Sequence, residues 1–455
     1  MTGPITSTRG IKDTIRPLPF FFTRGFFLLF VTASITLLPL YNRVPGGIGL
    51  PLAVDFLILL LALADFFLGP SVNAIQMARP LPYPLAVDKS NEICLEVTNR
   101  TSSTVSLIVS DDIPLNCMSD TLPLRTSVRP AGRARISYRL IPLERGNGEF
   151  GNVSFWVKGR LGLVWKRGER QASQTVKLYP GLALIERHAL RLRRRSVDEQ
   201  VRAFRKYGAG MEFDSLRDYA VGDDFRLIHW GATARQGKMI VRHNRIERSQ
   251  IIVLVLDAGR MMTARSQRKT KFDHSLNTAL LLAHSALKVG DKVGIMVVGQ
   301  EIEVFLPPSS APGQLGRILD ATYAVLPKLE EPRYYRALSG ISGKLKRRSL
   351  VVLFTDLIDE RSSAGLLRYS LGLLPRHLPL VVALSDSELL TLADTVPETA
   401  QDLYKQGVAA ETLRRRELLV AKLSSLGAVV VDTPPERLSA AVLDRYLEIK
   451  TKNLL

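Results

Sequence analysis

Two apolar blocks near the amino terminus restrict this chain more than any other feature. Residues 20–40 are interrupted only by Arg24 and a few small or hydroxyl residues, and residues 48–68 are dominated by Leu, Ile, Ala and Phe. At ~1.5 Å per residue, each block is long enough as a helix to cross a hydrocarbon core of ~30 Å. The short segment between them, Tyr-Asn-Arg-Val-Pro-Gly-Gly, is turn chemistry, so the pattern predicts a transmembrane helical hairpin over 20–69 behind a basic tail at 1–19. A cleaved signal peptide fits less well, because the second block follows at once and no Ala-x-Ala site precedes Pro45. Arg9, Lys12, Arg16 and Arg24 precede the first helix and Arg79 and Lys89 follow the second, while the turn holds only Arg43. That distribution predicts both ends, and the bulk of the chain, on the cytoplasmic side. Asp55, inside the second block, costs ~2.5–3.5 kcal/mol in lipid unless partnered. A hydrogen bond to Thr32, Ser34 or Thr36 of the facing helix, or a contact between copies, is the plain reading, with an ion or proton path as the alternative.

The remaining chain is too long for one core, since 455 residues with 46% hydrophobic side chains imply several domains. Over 82–180, alternating runs such as 92–97, 105–109, 134–140, 153–157 and 174–178 are separated by Asn, Gly, Pro and Ser clusters, which predicts an antiparallel β-sandwich-like domain. This stretch lacks histidine, and Trp156 and Trp165 read as sheet-packing residues, so a spacer or adhesive role is expected. Cys94 and Cys117 are the only cysteines, which excludes a disulfide scaffold and, with six histidines, a Cys/His zinc module.

Residues 181–250 form a basic connector that begins with Arg187, Arg191, Arg193, Arg194 and Arg195. Within it Glu212, Asp214, Asp218, Asp223 and Asp224 are interleaved with Arg217, Arg226, Arg235 and Lys238, so an ionic network that holds one loop geometry is expected. The catalytic alternative is a metal-dependent hydrolase, with His229 as base, Asp223 or Asp224 as its orienter or a metal ligand, and an arginine as clamp. Gly208 and Gly210 lack the third glycine of a dinucleotide fingerprint, and no Gly-Lys-Ser/Thr phosphate loop occurs, so nucleotide chemistry within the chain is not expected. The 62 basic and 43 acidic residues leave a formal charge of +19, a sign that suits nucleic acid or a lipid surface. Because acids interleave with the basic segment and no nucleic-acid module is legible, lipid headgroups, at roughly 1 kcal/mol per basic residue near a bilayer, are the expected anionic partner and nucleic acid is not.

From 251 to 450, continuous Val/Ile/Leu runs alternate with helical periodicity, which predicts a doubly wound α/β domain whose sheet is covered on both faces. Strand ends carry Asp257 and Asp356, where such sheets bind ligands. The arrangement resembles the von Willebrand factor A domain, whose adhesion site implies Asp-x-Ser-x-Ser and a later aspartate around Mg²⁺. Here the motif reads Asp257-Ala258-Gly259-Arg260-Met261 and lacks both hydroxyls, so the site at Asp257 and Asp356 is degenerate, with a weak metal or none.

The run 210–235, with Glu212-Phe213, Leu216-Arg217, Tyr219, Gly222-Asp223, Arg226, Ile228, His229-Trp230 and Ala234-Arg235, resembles the signature of the bacterial "domain of unknown function fifty-eight" family. The likeness extends to the order of parts. It implies an inner-membrane, non-enzymatic adaptor beside a MoxR-type AAA+ ATPase and other membrane proteins of its gene cluster. The candidate interaction residues are Glu212, Arg217, Asp218, Asp223, Asp224, Arg226, His229, Trp230 and Arg235.

Overall fold

The computed structural model describes residues 20–43, 49–82, 84–181, 212–220, 223, 225–245, 250–266, 268–335, 345–357, 365, 368, 372–374, 376–452 and 454. The chain divides into two compact units, Met1–Leu178 and Tyr179–Leu455.

The first unit opens with strand β1 (Phe20–Phe22), helix α1 (Arg24–Arg43) and helix α2 (Gly49–Leu68). The strands that follow are β2 (Ile75–Ala78), β3 (Leu85–Ala86), β4 (Asn91–Asn99), β5 (Val105–Asp111) and β6 (Cys117–Met118). After them come β7 (Leu124–Val128), β8 (Arg133–Pro142), β9 (Gly146–Phe150), β10 (Val153–Lys158), β11 (Val164–Arg170) and β12 (Gln174–Tyr179). They assemble as sheets in the orders β1-β11-β10-β5-β7, β2-β4-β8-β6 and β3-β12-β9. Alternation along β4 and β5 turns Ile93, Leu95, Val97, Val105, Leu107 and Val109 into one shared core with Tyr138, Phe150 and Phe155. Each such fully buried apolar side chain contributes about 1.5–3 kcal/mol.

The membrane expectation is corrected here. Among the described residues one helical stretch, Gly49–Ala74, with mean hydropathy 2.3 over its best window, is long and apolar enough to cross a membrane. Among the described residues the apolar stretch of the first helix is Arg24–Leu37, about 21 Å at ~1.5 Å per residue and short of a ~30 Å core. Its expected beginning is spent elsewhere. Phe20–Phe22 pair with β11 in the register Phe20↔Lys166 and Phe22↔Val164, and Phe21 packs on Trp165 and Trp156. Thr23 then ends the strand, its hydroxyl donating to the Gly162 carbonyl at 2.8 Å and accepting the Phe26 N–H at 3.2 Å. The expectation of two transmembrane helices, with the multi-pass inner-membrane placement and membrane-protein description built on that pair, is therefore not met among the described residues, where one candidate span remains.

Both carboxylates of α2 are partnered. Asp55 accepts the Ser34 hydroxyl of α1 at 3.1 Å. Asp65, which the sequence marks for no role, is buried and accepts the backbone N–H groups of Leu161, Leu163 and Val164 at 2.7, 2.9 and 3.2 Å. A Cβ at Gly159 would lie 2.3 Å from the Asp65 carboxylate, so this approach requires glycine.

In the second unit, β13 (Glu212–Asp218), a short helix α3 (Trp230–Gln236) and β14 (Ile240–Arg245) precede a six-stranded sheet. Its elements, in chain order, are β15 (Ile251–Asp257), the small pair β16 (Arg265–Ser266) and β17 (Lys269–Thr270) outside the sheet, α4 (Lys271–Lys288), β18 (Lys292–Val298) and β19 (Ile302–Ser309). Next are α5 (Gln314–Thr322), β20 (Leu350–Thr355), β21 (Leu378–Leu384), α6 (Ser387–Asp394), α7 (Ala400–Ser425), β22 (Val429–Thr433) and α8 (Pro435–Thr451). The sheet order is β19-β18-β15-β20-β21-β22, parallel except for the antiparallel edge strand β19. Ile252, Leu254 and Leu256 face α4, α5 and α8, whereas Val253 and Val255 face the side packed by Leu419 and Leu423 of α7. Burial on both faces explains the unbroken Val/Ile/Leu runs. The helices expected near 334–345 and 364–374 fall largely outside the described residues.

Candidate functional site

The signature folds as a hairpin. β13 and β14 pair antiparallel from Glu212↔Arg245 to Asp218↔Ile240, with an irregularity between Phe213 and Ser215. The connection folds back through an Ile228↔Val241 bridge, and Ile228, Ala232, Ile240 and Val241 form its small buried centre. His229 is held at both backbone and ring. Its N–H donates to the Ile240 carbonyl at 2.8 Å, and its Nδ1 accepts the Ala232 N–H at 3.1 Å as the N-cap of α3. That bond commits the Nδ1 lone pair to scaffolding. Gly237 closes α3 at φ 67°, a left-handed geometry that glycine adopts freely.

The charged residues pair at the surface. Arg217 donates to Asp223 at 2.5 Å, Asp223 also accepts the Ala220 N–H at 2.9 Å, and Lys238 binds Asp218 at 2.9 Å. Arg235 Nε donates to the Gly231 carbonyl at 3.1 Å. Asp224 and the side chains of Glu212 and Arg226 lie outside the described residues. Trp230, Phe225, Leu227 and Met239 are exposed, and Tyr219 stacks on Phe225.

Asp257 and Asp356 stand at the carboxyl ends of the neighbouring strands β15 and β20, where the strand order reverses. Asp257 is buried and accepts the Gly259 N–H at 2.7 Å, the Tyr334 hydroxyl at 2.5 Å and the Thr355 hydroxyl at 2.8 Å. Burial raises its pKa, opposed by those three hydrogen bonds. The same burial, then the Asp257 charge, holds the Tyr334 phenol well above its ordinary range. Asp356 is gripped by Lys271 Nζ at 2.8 Å and Arg416 Nη1 at 2.7 Å, and Arg416 also binds Asp432 through Nε and Nη2, both at 2.8 Å. Burial alone would lower the Arg416 pKa, but the Asp432 hydrogen bonds and the two carboxylate charges reverse this and raise it. Among the described residues, no group of three or more His, Cys, Asp or Glu side chains is arranged to hold a metal ion.

Lys271, Tyr334, Thr355, Arg416 and Asp432 were not singled out by sequence reasoning. One of them left a signal. Ala409, Arg416, Leu419 and Leu423 are the buried residues of α7, and their spacing puts Arg416, alone of Arg414–Arg416, on the apolar face.

Residues 215–400 match the family model described as "Protein of unknown function DUF58". The chain carries a DUF58-family domain. The DUF58 segment includes the signature hairpin from Ser215 onward together with Asp257, Lys271, Tyr334 and Asp356, whereas Arg416 and Asp432 lie beyond it. A Bacillus subtilis (strain 168) protein described as "Uncharacterized protein YeaD" is 23% identical over 173 residues, which cover 37% of this chain and 40% of that relative. The chain therefore spans two fifths of that protein's length. Among solved structures, the PapD-like domain 7 of human CEP192 is 11% identical and covers 24% of this chain and 87% of that one, with a TM-score of 0.19. Native E. coli alpha-2-macroglobulin is 14% identical over 24% of this chain and 7% of that one, with a TM-score of 0.20. Likenesses this slight carry no argument about the DUF58-containing chain.

Proposed function

We propose that the chain is a non-enzymatic interaction protein that engages a MoxR-type AAA+ ATPase through its von Willebrand factor A-like domain and signature hairpin. One observation carries this reading. The signature segment holds Phe225 and Trp230 at 66% and 69% exposure, with Leu227 and Met239 also exposed, and it carries the Arg217–Asp223 ion pair and the His229 helix cap. Large exposed aromatics on a fixed frame are the usual anchors of protein interfaces. The commitment of His229 Nδ1 to the Ala232 N–H and of Asp223 to Arg217 supports a scaffolding use of these residues over a catalytic one. The partner class comes from the family resemblance.

The test is recovery of the full chain from a host at native expression, with an ATP analogue present. An AAA+ ATPase is expected to co-purify, and joint Phe225→Ala and Trp230→Ala substitution is expected to lower its recovery on the order of tenfold or more without moving the melting temperature. Recovery of no such ATPase, or recovery unchanged in the double variant, overturns the proposal.

A further inference from the structure

The carboxyl-end rim of the six-stranded sheet between β15 and β20, where Asp257 and Asp356 stand, is the place at which an A-type domain seats a divalent cation through hard oxygen ligands. The residues here do not fit such an ion, because every oxygen of the two carboxylates already faces a cation or a hydrogen-bond donor of the chain. Both oxygens of Asp356 are taken by cations of the chain itself, Lys271 at 2.8 Å and Arg416 at 2.7 Å. Both oxygens of Asp257 are taken by the Gly259 N–H and by the Tyr334 and Thr355 hydroxyls. The first lost hydroxyl position is closed as well. A Cβ at Gly259 would lie 2.5 Å from Pro332 Cδ and 3.0 Å from Asp257 Oδ1, so a serine at 259 has no room while Pro332 and Tyr334 keep their places.

The geometry points to a built-in cation: Lys271, seconded by Arg416, neutralises the Asp356 carboxylate that a divalent ion would otherwise bind, and this carboxyl-end rim of the sheet works without metal. The charges are deeply placed, with the Lys271, Arg416 and Asp356 side chains 7%, 9% and 3% exposed. An incoming ion would have to displace the Lys271 ammonium from Asp356 and leave it buried with only Asp386, at 4.0 Å, as a counter-charge, which is costly. Tyr334 supplies to Asp257 a hydroxyl from a distant part of the chain, where the sequence Asp257-Ala258-Gly259-Arg260-Met261 has none. Whatever docks at this carboxyl-end rim is therefore not gated by the supply of divalent ions.

The experiment uses the full chain, melted in EDTA and in millimolar Mg²⁺, Mn²⁺ and Ca²⁺, with the metal content of the purified protein measured by mass spectrometry. The wild type is expected to melt within about 1 °C in all four conditions, because a ligand without a site adds nothing to stability. Lys271→Met keeps the stem but removes the charge, and is expected to melt lower by on the order of 10 °C. Lys271→Arg keeps the charge and is expected to melt near the wild type and to stay insensitive to the three ions. A wild type stabilised by any of the ions, stoichiometric metal in the purified protein, or a Lys271→Met variant that melts like the wild type overturns the proposal. Should Lys271→Met not fold, the wild-type and Lys271→Arg measurements still decide.

Discussion

The Asp65 carboxylate accepts the Leu161 N–H at 2.7 Å across 96 residues, tying the end of α2 to the turn that leads into β11. Two further N–H groups, from Leu163 and Val164, complete the grip, and Lys166 closes it by donating to the Gly69 carbonyl at 2.9 Å. Asp65→Ala would strand three backbone donors. Each unsatisfied group costs about 1–3 kcal/mol, part of which water recovers, so a loss of roughly 3–5 kcal/mol is expected in urea unfolding of the first unit. Gly159→Ala should mimic it, because the added Cβ collides with the same carboxylate. A loss below about 1 kcal/mol for both variants would refute this account.

A second buried pair sets the centre of the first unit. Arg79 binds Asp111 at 2.6 Å with both side chains fully buried, and the Tyr138 hydroxyl donates to the other Asp111 oxygen at 2.5 Å. Burial raises the Asp111 pKa, and the Tyr138 hydrogen bond and Arg79 charge oppose it. Arg79→Met removes the guanidinium and leaves the buried carboxylate with no counter-charge and only the Tyr138 hydroxyl, so about 3–5 kcal/mol should be lost, against about 1–2 kcal/mol for Tyr138→Phe. A double-mutant cycle between Arg79 and Asp111 that shows no coupling would count against it.

His377 predicts a pH effect of defined sign. The residue is buried and, among the described residues, neither ring nitrogen has a hydrogen-bond partner. Burial, then the Arg376 charge, lowers its pKa below the ordinary value. Below about pH 6.5 the unfolded chain therefore binds a proton that the folded chain refuses. Its contribution is complete above that pH and is lost as the pH falls toward the depressed folded value. His377→Leu should accordingly shrink the stability difference between about pH 7.5 and about pH 5.5, as read by thermal melts of both proteins. An unchanged or enlarged difference would remove His377 from the explanation.

Cys117 gives a chemical readout of the fold. Both cysteines are free, and burial pushes the Cys117 thiol up to about 12. Since only the thiolate is alkylated, Cys117 in the native protein should react with iodoacetamide on the order of a thousandfold more slowly than in urea. Peptide mass spectrometry would show the opposite if Cys117 were accessible.

The parts of the second unit that depend on local composition were legible. A continuous apolar run has to be buried on both faces, and the runs at 251–256, 350–354 and 380–384 lie in β15, β20 and β21. The same logic failed at Phe20–Phe22. Three phenylalanines in an apolar block suit a helix or a strand equally, and pairing with β11, whose Lys166, Arg167 and Arg170 disguise it as a loop, chose the strand. The helix Ser387–Asp394 was also missed, because eight residues are too few for a clear period.

The sequence by itself determined which residues are apolar, where the chain turns, and that Asp257 and Asp356 end two strands of one sheet. Only the tertiary structure decided what those carboxylates hold. Lys271 is 85 residues from Asp356 and Arg416 is 60, Tyr334 is 77 from Asp257, and Asp65 meets its donors nearly 100 residues later. Patterns of hydropathy repeat over a few residues and report burial, whereas an ion pair is selected by which side chains arrive at one point in space. That selection turned a motif lacking its hydroxyls into a site closed by the chain's own charges.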